Sequence, residues 1–192
     1  MTRWPVLCGV LAPASFIGAW AVCGALREGY DPVTEAISQL AREGTPDRLG
    51  MTAGFVGFGL LLPVFAQRLP ALVGAGTALR VTATVAGVST LAVAALPLQR
   101  EAGGTGDTLH AVAAGVGYLG MVATPALAVR PLRQAGRRTA SRVSIAVSAV
   151  SAAALVRSVT QGPTGVFQRI GLGVVDLWFA GVAIRALQRG DA

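Results

Sequence analysis

Charge is what this sequence has least of. Of its 192 residues only 13% are charged while 53% are hydrophobic, against about 25% charged in soluble domains, and that excludes an ordinary soluble fold. Lysine is absent, so all sixteen basic side chains are Arg. With abundant Ala and Gly, this suggests a GC-rich genome and says little about mechanism. Two cysteines exclude a disulfide framework. Cys8 and Cys23 fall on one expected helix, about 22 Å apart at the helical rise, too far to bond to each other. They read as small apolar side chains.

Histidine is equally scarce. With one His and scattered carboxylates, no metal site is expected, because helical zinc sites carry at least two well-spaced strong ligands. A bis-His haem needs more ligands than the chain has. There is no Gly-rich phosphate loop with Lys, no Gly-x-Ser-x-Gly elbow, no Cys-x-x-Cys and no pair of Asp-rich magnesium motifs, so no cofactor is expected. The net charge of +7 does not point to nucleic acid, since the arginines lie in short loops and no basic helix or aromatic-basic interleaving occurs.

What the chain does have is long apolar runs. Their spacing predicts an all-α polytopic membrane protein: one transmembrane domain over residues 1–192, with six spans near 4–26, 49–67, 76–98, 109–129, 139–159 and 164–187, each near the length that crosses about 30 Å of hydrocarbon. The first 25 residues imitate a secretory signal, but the same kind of segment recurs five more times, so it reads as the first span. Arginines alternate in density between the connecting segments. Ten lie with the two ends (Arg3, Arg68, Arg80, Arg130, Arg133, Arg137, Arg138, Arg142, Arg185 and Arg189) and six lie opposite. Positively charged loops stay inside, so both termini are expected in the cytoplasm of a cell that holds this protein in its inner membrane.

The longest loop, Arg27 to Arg48, is then outside. Asp31 as N-cap, Pro32 at the first helical position and Gly44 past the end predict a short amphipathic helix there. Val33, Ile37 and Leu40 would form its apolar face, making it a packing lid or a gate. The stretch Leu69 to Thr77 belongs to the second or the third span. Pro13, Pro63 and Pro125 fall inside spans, where each removes a helix hydrogen bond. Ala53 with Gly57, and Ala113 with Gly117, are small pairs that let helices approach. At an offset of 62 residues Pro63, Arg68, Arg80, Val81, Val85, Val88 and Ser89 recur as Pro125, Arg130, Arg142, Val143, Val147, Val150 and Ser151. Either chance or duplication of a helical hairpin gives that pattern.

Ionisable residues inside spans are costly in hydrocarbon and are the best functional clues. Asp176 lies near the centre of the sixth span, about 10 Å along the helix from Arg169. It reads as a proton-handling or polar-ligand group, or as an interhelical hydrogen bond, and it needs a donor, a water or its own proton. His110 heads the fourth span three residues after Asp107, as an acid or base or as an interfacial hydrogen-bonded side chain. Arg157 and Arg169, with Asp107, Arg100 and Glu101, could line an outer vestibule for an anionic head group, or snorkel to the interface.

Three ordered motifs carry a resemblance: Tyr30-Asp31-Pro32 leading into Ile37-Ser38-Gln39-Leu40, the segment before His110, and Gly165-Val166-Phe167-Gln168-Arg169. On these the chain resembles the domain-of-unknown-function 998 family of small prokaryotic multi-pass membrane proteins. The resemblance implies architecture and transfers no activity. Gln39 and Gln168 stand where such proteins often have acids, which weakens any role for an acid there. The leading expectation is a pocket in the outer half built from His110, Arg157, Arg169 and Asp176, with Asp107 and Tyr30 beside them, that binds a membrane lipid or lipid-like small molecule. An acid/base enzyme using His110 or Asp176 on an isoprenoid or lipid, a small transporter and an accessory subunit are the rivals. Oligomeric state is left open.

Overall fold

The computed structural model describes residues 3–160 and 162–190. Among them six helices have the length and composition to cross a membrane: α1 (Trp4–Leu26), α2 (Arg48–Ala66), α4 (Thr77–Ala95), α5 (Thr105–Gln134), α6 (Arg138–Thr160) and α7 (Thr164–Arg189). No described residue is in a strand. The protein is an integral, multi-pass, all-helical membrane protein.

The stretch between the second and third spans belongs to neither. It forms a separate helix, α3 (Leu69–Val73), with Pro70 in its first turn and Gly74 at φ 74 closing it, the left-handed cap that glycine adopts at least cost. α5 starts earlier and ends later than the expected 109–129. Asp107 occupies its first turn, where a carboxylate complements the helix dipole. Pro13, Pro63 and Pro125 all lie within continuous helices.

The spans pack in chain order: α1 on α2, α2 on α4, α4 on α5, α5 on α6, α6 on α7, and α7 back on α1. A closed ring results. Its outward surface carries Leu49, Leu119, Val159 and Leu177, between 68% and 82% exposed, an arrangement that suits hydrocarbon and would be unfavourable in water at about 25 cal/mol per Å² of apolar surface. The half of the ring nearer the chain ends is filled. Phe65 and Phe179 meet edge to face at 6.2 Å, and Trp178 packs on Phe179 at 5.5 Å.

In lipid, apolar side chains gain little from leaving hydrocarbon, so close packing and hydrogen bonds must hold the ring. Gly59 and Gly87 face each other across α2 and α4, where a Cβ on Gly59 would come within 2.9 Å of the Gly87 carbonyl oxygen. α6 contributes a row of serines at spacings of three and four. Ser141 and Ser148 donate to the Val129 and Val122 carbonyls of α5 at 3.0 and 2.8 Å. On the other side Ser151 donates to Gly171 of α7 at 2.7 Å, and the Trp178 indole N–H donates to Ser144 at 3.0 Å. The sequence signal was the spacing Ser141, Ser144, Ser148, Ser151, one buried helical face, which sequence reasoning passed over.

The 62-residue likeness extends to burial within α4 and α6. Ser89 and Ser151 are both buried; Arg80, Val81 and Val88 are exposed, as are Arg142, Val143 and Val150. The connections differ, since α3 separates α2 from α4 whereas α5 runs on to Gln134 before α6.

Candidate functional site

At the end of the ring away from the termini, the first long loop docks onto the start of α7. The Arg169 guanidinium donates to the Tyr30 hydroxyl at 2.6 Å and to the carbonyls of Pro32 and Glu35 at 2.8 and 3.2 Å. It also lies over the Trp20 ring, 5.1 Å from its centre. Tyr30 donates to the Ala36 carbonyl at 3.1 Å, with the Glu35 carbonyl also within reach at 3.3 Å. One residue earlier on α7, the buried Gln168 accepts the Ile37 N–H at 2.7 Å and donates to the Tyr118 hydroxyl of α5. Val166 N–H donates to Val33 O at 2.9 Å. At Gly165 the loop and α7 approach tightly, because a Cβ there would stand 2.3 Å from Glu35 O and 2.4 Å from Pro32 O.

These bonds explain why the expected helix from Asp31 to Gly44 does not form as such. Residues 32–35 make turns, and a 3-10 helix covers only Ile37–Ala41. Arg169 and Val166 engage the carbonyls of residues 32, 33 and 35, Gln168 takes the Ile37 N–H and the neighbouring Tyr30 takes the Ala36 carbonyl, so mostly long-range partners satisfy groups an α-helix would pair within itself. Asp31 caps the turn, accepting from the Thr34 hydroxyl at 2.6 Å and Val33 N–H at 2.9 Å. Those two donors hold its carboxyl below the usual carboxylate range. Burial pushes the Tyr30 phenol up, against the pull of the Arg169 charge. Ile37 and Leu40 are buried as expected, but Val33 is 49% exposed.

Below this loop lies a cavity of about 260 Å³ inside the ring. Its walls are apolar, with Phe16, Phe55, Phe58 and Met121 among them, and Ala36, Ile37 and Ser38 of the loop form its roof. Among the described residues no Arg, Asp or Glu lines it. Its polar groups are His110, Gln168, Tyr118 and several hydroxyls. His110 is 5% exposed, and its Nδ1 lies 2.7 Å from the Leu96 carbonyl oxygen. A carbonyl only accepts, so Nδ1 carries the proton, and in the neutral ring Nε2 is an acceptor. No hydrogen bond to Nε2 is made by the described residues.

Of the expected site residues, the structure sets only His110 in the wall of this cavity. Tyr30 and Arg169 meet each other in the loop lock beside it. Asp107 does not bond His110; its carboxylate accepts the N–H groups of Gln99 and Gly103 at 2.8 and 2.9 Å and organises the loop before α5. Arg157 is exposed, stacked over Phe167 at 5.6 Å. Asp176 is wholly buried one helical turn beyond Leu172, on the side away from the loop, and neither carboxyl oxygen has a hydrogen-bond partner among the described residues. Sequence reasoning missed Gln168 and Tyr118 as cavity residues. Gln168 was visible only as a departure from an acid, and a polar residue one turn inside a span was its only signal.

A family model described as "Protein of unknown function (DUF998)" matches residues 10–185. The chain belongs to the DUF998 family. No curated protein and no solved structure matches it. Two of the three segments that suggested DUF998 from sequence, Tyr30 to Leu40 and Gly165 to Arg169, are the two halves of the loop lock. In this DUF998 protein, therefore, those segments act directly on the fold, since together they close the roof of the cavity.

Proposed function

We propose that this membrane protein binds a lipid or small amphiphile in the cavity under the loop lock. The observation that carries the reading is an apolar cavity inside a membrane ring, roofed by the loop, with an unpaired imidazole acceptor in its wall. Small-molecule sites are concave, mostly apolar and furnished with few polar groups. With water's share of liquid volume near 30 Å³, the space admits about nine methylene-sized groups. The arginine distribution supports termini in the cytoplasm of an inner membrane and the roofed end outside.

The test is extraction of the purified protein in mild detergent, followed by mass spectrometry of the bound lipid fraction. A defined species should accompany the natural chain and be lost from Gly115→Leu. Gly115 lines the cavity, and a Cβ there meets nothing within 4 Å, so the larger side chain has room to occupy the ligand's place. An identical lipid profile from both proteins would reject the reading.

A second reading is acid/base chemistry on the same ligand. The fixed Nδ1 proton of His110 favours it, since an oriented imidazole leaves Nε2 as a base facing its substrate. Asp176 is not among the cavity-lining residues. His110→Gln should then abolish turnover of a bound lipid while binding persists; unchanged turnover would refute the catalytic role.

A further inference from the structure

The chemistry of the cavity wall narrows the class of ligand. We infer that it takes a neutral lipid-like alcohol, whose hydroxyl donates to His110 Nε2 and whose chain enters sideways from the bilayer between α5 and α6; this rests on the cavity reading above.

Three observations carry it. First, no charged side chain among the described residues lines the cavity, and an anionic head group moved into an apolar site without a cationic partner is strongly disfavoured. The terminal nitrogens of Arg169, one residue along from the cavity-lining Gln168, donate to Tyr30, Pro32, Glu35 and Gly165, and its one unpartnered nitrogen, Nε, is buried outside the cavity lining; Arg42 donates to Gln39 and Gln99. Second, with Nδ1 bonded to Leu96 O, the free position of the neutral ring accepts and does not donate. It therefore selects a ligand with an O–H over one with only ether oxygens. Third, the cavity's lining includes residues on the lipid-facing surface. Val159 of α6 is 72% exposed and Ala111 of α5 is also exposed, yet both border the cavity. Gly115, one turn along from Ala111, adds no side chain to the gap. The loop lock roofs the cavity along the ring axis, whereas this gap lies on the ring's outward face.

The experiment measures binding of tritiated decanol to the detergent-solubilised full chain, with competition by decyl methyl ether and decyl sulfate. Decanol should compete about tenfold better than the ether, the size of one net hydrogen bond, and the sulfate should compete more weakly still, because its charge has no partner in the cavity. His110→Phe should bring decanol down to the level of the ether, and Gly115→Leu should remove binding of all three. If ether or sulfate competes as well as decanol, or His110→Phe binds decanol like the natural chain, the alcohol assignment is wrong while the cavity stands. If the natural chain binds no more decanol than Gly115→Leu, the cavity reading fails and takes this inference with it. Should Gly115→Leu not accumulate, Val159→Trp blocks the same opening from the exposed side. The alcohol-to-ether ratio in the natural chain needs no substitution.

Discussion

Arg169 and Tyr30, separated by 139 positions in sequence, are joined by a hydrogen bond of 2.6 Å that fastens the first loop to the last span. The same guanidinium caps two loop carbonyls and stacks on Trp20. One side chain thus ties α1, the loop and α7 together, and closes the ring where its first and last spans meet.

Replacing it should free the loop. Arg169→Ala removes several charge-assisted bonds, and we expect a loss of about 2–4 kcal/mol in loop docking. Arg169→Lys should recover only part, because an ammonium cannot reproduce the planar fork. Limited proteolysis between residues 27 and 47 measures this; cleavage at the natural rate in both variants would show that the lock contributes nothing.

Gly165→Ala should be nearly as damaging despite adding one methyl. Its Cβ would meet backbone oxygens at 2.3 and 2.4 Å, which cannot move without breaking the lock, so about 1–3 kcal/mol of overpacking is expected. A thermal melt in detergent that matches the natural protein would contradict this.

Gly115→Ala should do the reverse. The position is helical with open space around its Cβ, and Ala exceeds Gly in helix interiors by about 0.8–1 kcal/mol. A lower melting temperature than the natural chain would mean that this space is not open.

Docking of the loop should also depend on pH at two limits. The Asp31 carboxyl is held below its ordinary value of 3.8, so its contribution is full above that value and is lost as pH falls through the lower folded-state one. The Tyr30 phenol is raised above 10.0, so its contribution is full below that value and is lost as pH rises through the higher folded-state one. Emission from Trp20 reports the Arg169 contact in a Trp4→Phe, Trp178→Phe background. A signal unaffected at both extremes would show that neither group is linked to docking.

The serine row should be worth little per bond. Ser151→Ala breaks the contact to Gly171 O, and interhelical hydrogen bonds in membranes average about 0.6 kcal/mol. A double-mutant cycle of Ser144→Ala with Trp178→Phe gives the coupling of that pair directly; a value above about 2 kcal/mol would mean the row dominates α6–α7 association.

Membrane residence, six spans, their order and the family were determined by sequence alone, because about 20 consecutive apolar residues leave the backbone no alternative in lipid to pairing within a helix. The motifs Tyr30-Asp31-Pro32 and Gly165 to Arg169 were legible too, but only as separate strings. That they bind each other, and so convert an expected α-helix into turns and a 3-10 segment, was decided by tertiary structure. Helix signals describe a backbone pairing with itself, whereas here Arg169, Val166 and Gln168 supplied partners from elsewhere in the chain. The cavity was equally invisible, since it is bordered by every span and the loop, and no local pattern encodes their relative rotation. Closure of the ring set His110 and Gln168 in the wall of one cavity and left Asp176 out of that wall, separating residues that charge alone had grouped.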